Sequence, residues 1–388
     1  ISADVIGSTV LRLKQVALGT HNNVFDTNLV TVTAGTYTIS YDFMTWLTDW
    51  HDDCVPALNT FADSGNIYPD IDICFPNIYN PNHYGELNAD FTGWINWYYI
   101  NQYFINYSTL QAFSGNKYAV MPFVFAISVI KKIFDTAGIT IDGKGVTEER
   151  FRRVIVDNNY SIQKEWFDPV GDNEILVVND RIKIANHLPD ITVGEFLTGY
   201  RNKFNIYFNY DPMLRIINFK LRDDVIATPV RNDFMSKPYS SKPIFEFNTI
   251  DGLKLTCPKD SSDDANNAYY TPYNDTLLQN SDFIIGNGGF EIKSIFGCPS
   301  VYQIKKFVTF GPNIKVPYKM QLGSGNEWEV RFNEATPGLL IYKGLAADEG
   351  DEDYCYATND HLDNFDVDDS SNISLQNDKL YELFFTKW

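Results

Sequence analysis

Apolar positions recur at helical spacing in two stretches of this 388-residue chain and at alternating spacing in many others. The clearest stretch runs from Leu188 to Leu221. Pro189 pushes the residue before it out of the helical region and so closes whatever precedes it. Thr192-Val193-Gly194-Glu195 reads as a capping box, in which hydroxyl and carboxylate satisfy orphan backbone donors reciprocally. Phe196, Leu197, Tyr200 and Phe204 follow on one helical face, with Arg201, Asn202 and Lys203 expected in solvent. Asn205 can adopt the left-handed conformation that ends such a helix. Ile206 to Tyr210 and Leu214 to Leu221 then flank Asp211-Pro212-Met213, a hairpin signal. Met121 to Gly138 repeats the logic. Phe123, Val124, Ile127, Ile130, Ile133, Phe134 and Ala137 trace a stripe, Gly138 suits a left-handed cap, and Ile139-Thr140-Ile141 reads as a strand.

The remaining patterns are strand-like or loop-like. Leu29 to Phe43 alternates through Val30, Val32, Tyr37, Ile39 and Tyr41, while Trp46, Leu47 and Trp50 fit a short helix. Ile71, Ile73 and Phe75 alternate and stop at Pro76, and Asn77 to Asn88 has the composition of a surface loop. Phe91 to Tyr107 is dense in rings without a clear period. Val154 to Val156, Ile175 to Val178, Phe245 to Phe247, Leu253 to Leu255, Lys306 to Phe310 and Leu339 to Tyr342 are strand candidates, with a turn at Gly286-Asn287-Gly288-Gly289. These elements predict an α+β chain, mostly antiparallel β, with two short amphipathic helices at about 122–137 and 192–204 packed on sheets. Three regions are expected: a β-rich 1–120, an α/β 121–225 with the two helix–strand units, and a loop-rich β region 226–388. The aromatic end, Leu380 to Trp388, suggests that the last region continues beyond the given sequence.

Composition narrows the function classes. Aromatic residues make up 15% of the chain, including 24 Tyr and 28 Phe. Such side chains suit pleated surfaces, and Tyr also suits interfaces, where one end of the ring stays wet. The formal charge is −19, from 31 basic and 50 acidic side chains. There is no basic stripe for nucleic acid and no attraction to an anionic membrane, so neither is expected as a partner. No apolar run is long enough to cross a bilayer as a helix. Cys54, Cys74, Cys257, Cys298 and Cys355 are odd in number and widely spaced, which predicts free thiols and neither a zinc site nor a disulfide framework.

Candidate sites are few. His51-Asp52-Asp53-Cys54 places four possible ligands consecutively, but consecutive side chains do not converge on one ion. Asp351-Glu352-Asp353 and Asp366-Val367-Asp368-Asp369 lack the spacing of a calcium loop and read as solvated acidic loops. A nucleophile elbow, a zinc-protease helix and a phosphate loop before a helix are all missing. His21, His51, His83, His187 and His361 are scattered beside turn residues and are expected at the surface or in caps. No catalytic, cofactor or metal residue is assigned, and no enzymatic activity is expected. A paired-carboxylate glycosidase stays open, because such a pair is made in space.

The two helix–strand units, Pro122 to Ile139 and Leu188 to Phe208, resemble the arrangement in tail hub proteins of tailed phages. Gly338 to Leu345 and Leu380 to Trp388 look like segments of tail-tip proteins from prophages and phages of gut Bacteroidetes. The resemblance extends loosely over residues 70–388 and is best over 120–221. It implies a structural role in the virion, as a homo-oligomer at the tail tip joining the tube to other tail or baseplate proteins. Trp94, Trp97 and Tyr103 are expected partner contacts. The alternative is a secreted or surface β-rich protein that binds or cleaves glycans on exposed Tyr and Trp.

Overall fold

The computed structural model describes residues 20–21, 25–26, 29–30, 72–83, 93–96, 121–161, 163–167, 174–178, 182–228, 252–261, 263–266, 277–278, 280–299, 301–304, 314–320, 336–347, 353–359 and 374–386. In chain order its principal elements are β1 (Ile73–Cys74), β2 (Phe123–Phe125), α1 (Ala126–Thr136), β3 (Thr140–Asp142) and β4 (Val154–Val156). They continue with α2 (Val193–Phe204), β5 (Ile206–Asp211), β6 (Ile216–Leu221), β7 (Gly252–Thr256), β8 (Phe283–Gly286), β9 (Phe290–Lys293), β10 (Leu339–Ala347) and β11 (Asp353–Thr358). The fold is α+β, with helices packed on sheets whose pairings are mainly antiparallel, as the hydrophobic pattern predicts.

A five-stranded sheet in the order β11-β10-β4-β2-β1 forms the centre. Its neighbours pair antiparallel throughout, with Val124 opposite both Ile73 and Val156, and Leu340 opposite Ile155. Every residue of β1, β2 and β4 is buried, so these strands read as continuous apolar runs instead of alternating ones. This sheet takes strands from each of the three regions inferred from composition. The boundaries at 120 and 225 therefore do not separate independent cores, since the apolar runs on both sides bury against one another.

Around that sheet lie the two helix–strand units. In the second, Thr192 Oγ1 accepts from the Glu195 N–H at 3.1 Å and Glu195 Oε2 accepts from the Thr192 N–H at 2.8 Å, the reciprocal cap expected. Asn205 ends the helix in the left-handed region at φ 51°. Thr192→Ala is expected to cost about 1 kcal/mol of stability, read as a lower denaturation midpoint at unchanged slope. Phe196, Leu197, Tyr200 and Phe204 are buried, but so is Lys203, placed in solvent by the periodicity. The segment 293–298 packs along that side of the helix, where Asn202 donates to the Lys293 carbonyl and Ser294 donates to the Gly199 carbonyl.

The first unit starts later than its stripe suggests. Phe123, Val124 and Phe125 are strand, paired on both edges, and the helix begins at Ala126. Bulky residues between two strands are better satisfied by the ladder than by an uncapped helical turn, and Phe125 supplies no side-chain cap. Gly138 takes φ 64°, as its cap position requires. The strands after the two helices meet in one sheet of order β5-β6-β3, where β6 pairs antiparallel with β5 and parallel with β3. Phe134 and Phe219 pack edge-to-face at 5.9 Å beneath it. A third sheet, β8-β7-β9, inserts β7 between two strands joined by the Gly286–Gly289 turn, with Gly286 and Gly288 at positive φ.

Candidate functional site

Ionisable groups in the interior gather at the end of β4, where the chain leaves the central sheet. Asp157 follows the strand and its N–H donates to the Gly338 carbonyl. Lys319, only 2% exposed at its side chain, reaches it from a distant segment and donates to Asp157 Oδ1 at 2.5 Å and to the Asn158 carbonyl at 2.9 Å. Burial pushes the Asp157 carboxyl up, and the Lys319 ammonium works against that shift. Asp263 lies within the field of the Lys319 charge, accepting from the Met320 N–H at 2.8 Å and the Ala265 N–H at 3.0 Å. Its carboxyl is likewise pushed up by burial. Exchanging Lys319 for Met would leave a buried carboxylate uncompensated and is expected to cost about 3–5 kcal/mol, measured by chemical denaturation.

Two histidines flank this pair, and both depart from the expected surface or capping role. His83 is 1% and His187 is 4% exposed. Burial holds the His83 imidazole down at about 3, helped by the charge of Lys319. Burial lowers His187 to about 4, partly offset by its contact with the Tyr160 carbonyl. His187 Nδ1 sits 3.1 Å from that carbonyl and 3.2 Å from Asn158 Nδ2, which also donates to the Pro122 carbonyl at 2.7 Å. His83 is buried because the 77–83 segment is folded in, not a surface loop. Ile78–Tyr79 pairs with Trp94–Ile95, Asn80 donates its N–H to Gly93, and Lys319 donates its N–H to Tyr79.

Beside Asp157 lies a cavity of about 20 Å³, lined by Asp260, Asp263, Cys298, Pro258, Thr336 and the glycines 297 and 338 among others. That is room for one water, far below the roughly 300–1,000 Å³ of a small-molecule site. Among the described residues no group of three or more His, Cys, Asp or Glu is placed to hold a metal ion. The polar cluster ties three segments distant in sequence to the central sheet. Its chemistry is that of a paired charge beside two buried imidazoles, of which His187 is held by the Tyr160 carbonyl.

Cys74 and Cys257 are buried free thiols and Cys298 is a partly buried one, in line with the expectation for these three. Burial raises the thiol of Cys257, and that of Cys298 still further, to values at which neither is a ready nucleophile. Cys54, the 51–54 run, Asp366 to Asp369, His51, His361, Trp97 and Tyr103 lie outside the described residues. For Trp94, His21, Asp353 and Cys355 the backbone strand is described but the side chain is not. Lys203 is a buried cation that the helical periodicity does not reveal. Its Nζ has no hydrogen-bond partner among the described residues. No helix of the described residues is long and apolar enough to cross a membrane.

No protein-family model, curated protein or solved structure matches this chain.

Proposed function

We propose that this protein is a structural component of a phage tail tip or baseplate hub, acting without catalysis as a homo-oligomer in contact with other tail proteins. The observation that carries the reading is the convergence of the two helix–strand units on one sheet. The strand after α1 pairs in parallel with the hairpin that follows α2. That arrangement agrees with the resemblance of residues 120–221 to tail hub proteins. A second support is the use made of the buried charges. Asp157 and Lys319 are engaged with each other and with backbone, and Asp263 with backbone, beside a cavity of about 20 Å³.

Exposed aromatic and apolar side chains on the hairpin, including Tyr207 and Tyr210, suit contact with neighbouring subunits. Electron microscopy of the intact particle or assembled complex tests the reading. The expected result is this chain in a symmetric ring at the tail end. A monodisperse monomer that binds a polysaccharide tightly and is absent from virions would sink it.

A further inference from the structure

Lys319 and Asp157 form a contact ion pair almost shut off from water. Their side chains are 2% and 14% exposed, and Nζ lies 2.5 Å from Oδ1. A carbon–oxygen bond is about 1.2 Å, so Nζ stands within about 3.7 Å of the carboxyl carbon at any angle. That is close to the roughly 3–3.5 Å of a near-attack arrangement. Both partners are fixed. Lys319 Nζ also donates to the Asn158 carbonyl at 2.9 Å, and the Lys319 N–H donates to the Tyr79 carbonyl. Asp157 donates its N–H to the Gly338 carbonyl, and its carboxyl packs so closely there that a Cβ on Gly338 would stand 3.1 Å from Oδ2. Asp263, a second carboxyl in the field of Lys319, is taken up by the Met320 and Ala265 N–H groups.

Burial sets the chemistry. In water an ammonium and a carboxylate stay apart as ions because both are hydrated. Here that hydration is removed, and burial pushes the Asp157 carboxyl towards its protonated form. Passing one proton from Nζ to the carboxylate leaves a neutral amine against a neutral acid, the pair that condenses to an amide. A neutral amide escapes the desolvation penalty of the two ions. Holding the groups in contact supplies an effective concentration that no dissolved pair reaches. The cavity of about 20 Å³ bordered by Asp157 has room for the one water that condensation releases.

We propose that Lys319 and Asp157 join in an amide between Nζ and Cγ, a covalent clasp made by the folded chain itself. The Nζ lone pair forms the bond to Cγ, one Cγ–O bond breaks, and that oxygen leaves as water with two of the three ammonium protons. The third proton stays on nitrogen, where it can keep the bond to the Asn158 carbonyl. No oxidant or co-reactant is consumed. The clasp joins residues 162 apart in sequence and ties the segment 314–320 to the end of β4 in the central sheet. A cross-link of that span restricts the unfolded chain, as a disulfide does. The titration of Asp157 belongs to the chain before condensation. The clasp holds whether or not the protein is a tail component.

The test uses the full chain, purified and held for several days at neutral pH and physiological temperature, beside Lys319→Arg. Arginine keeps the positive charge, and its guanidinium does not form the amide. Mass spectrometry under denaturing conditions is expected to find most of the parent lighter than its sequence by one water, and Lys319→Arg at full mass. A tryptic digest of the parent is expected to give a branched peptide joining the Asp157 and Lys319 segments, uncleaved after Lys319. That peptide decides the matter alone, whether or not the variant folds. A water lost as a cyclic imide, as at Asp142-Gly143, would persist in Lys319→Arg and give no branched peptide, and that result overturns the clasp. A parent that melts cooperatively and keeps its full sequence mass overturns it equally. Neither result touches the hub reading.

Discussion

Lowering the pH from 6.5 towards 4 is expected to destabilise this protein steeply, through His83 and His187. In the folded state their imidazoles are held near 3 and 4 by burial, against 6.5 when free. Below pH 6.5 the unfolded chain binds two protons that the folded chain refuses. Stability therefore falls as the pH drops, and the loss continues until the folded values are reached. Each refused proton costs about 1.4 kcal/mol per pH unit, so the pair contributes a slope of about 3 kcal/mol per unit. Asp157 and Asp263 act in the opposite sense. Their carboxyls are raised in the folded state, so the folded chain takes up those protons first and regains stability as the pH falls through the raised range. The test is the pH dependence of the unfolding free energy in the parent and in His83→Gln with His187→Gln. The readout is the slope, which is independent of any offset in stability that the double variant carries at pH 7. A parent slope unchanged in the variant would show that neither histidine is held neutral.

The second large effect is expected at Phe204. Its ring packs at 4.9 Å from Tyr200, 5.5 Å from Phe151 and 6.1 Å from Phe384, and it is fully buried. Three separate parts of the chain meet there: α2, the short helix Glu149–Arg152 and the segment 381–385. Phe204→Ala is expected to cost about 3–5 kcal/mol, a transfer loss plus a cavity that a cluster of rigid rings cannot collapse to fill. Phe204→Leu, which keeps most of the volume, should cost less than half as much. Denaturant midpoints for the two variants check this. Equal midpoints for parent and Phe204→Ala would mean that the ring cluster is not core.

The α2 unit was legible in the sequence because all of its signals are local. A capping box spans four residues, and a left-handed Asn at the end adds its own conformational preference. The hairpin was legible for the same reason, since its register is set by the turn that Asp211 closes. Ambiguity began where an apolar run suits helix and strand alike. Phe123 to Phe125 extend the helical stripe of α1, and only the presence of β1 and β4 on either side makes them a strand. Lys203 marks the same boundary. Its spacing says solvent, and the segment 293–298, far along the chain, covers it.

The polar cluster was not legible at all. His83, Asp157, His187, Asp263 and Lys319 lie far apart in the chain and form no spaced motif; the two histidines read as surface or capping residues beside turns, and nothing in the pattern singles out the other three. By itself the sequence determined the two amphipathic helices, both caps of α2, the Gly138 end of α1, the hairpin and the α+β class, because each depends on side chains within a few residues of one another. The tertiary structure alone decided that the central sheet draws on all three regions, which charges are buried, and which apolar side chains are left outside. Those outcomes depend on what covers a residue, and the covering segments come from far along the chain: Lys293 lies 91 residues from Asn202 beside Lys203, and Lys319 lies 162 from Asp157.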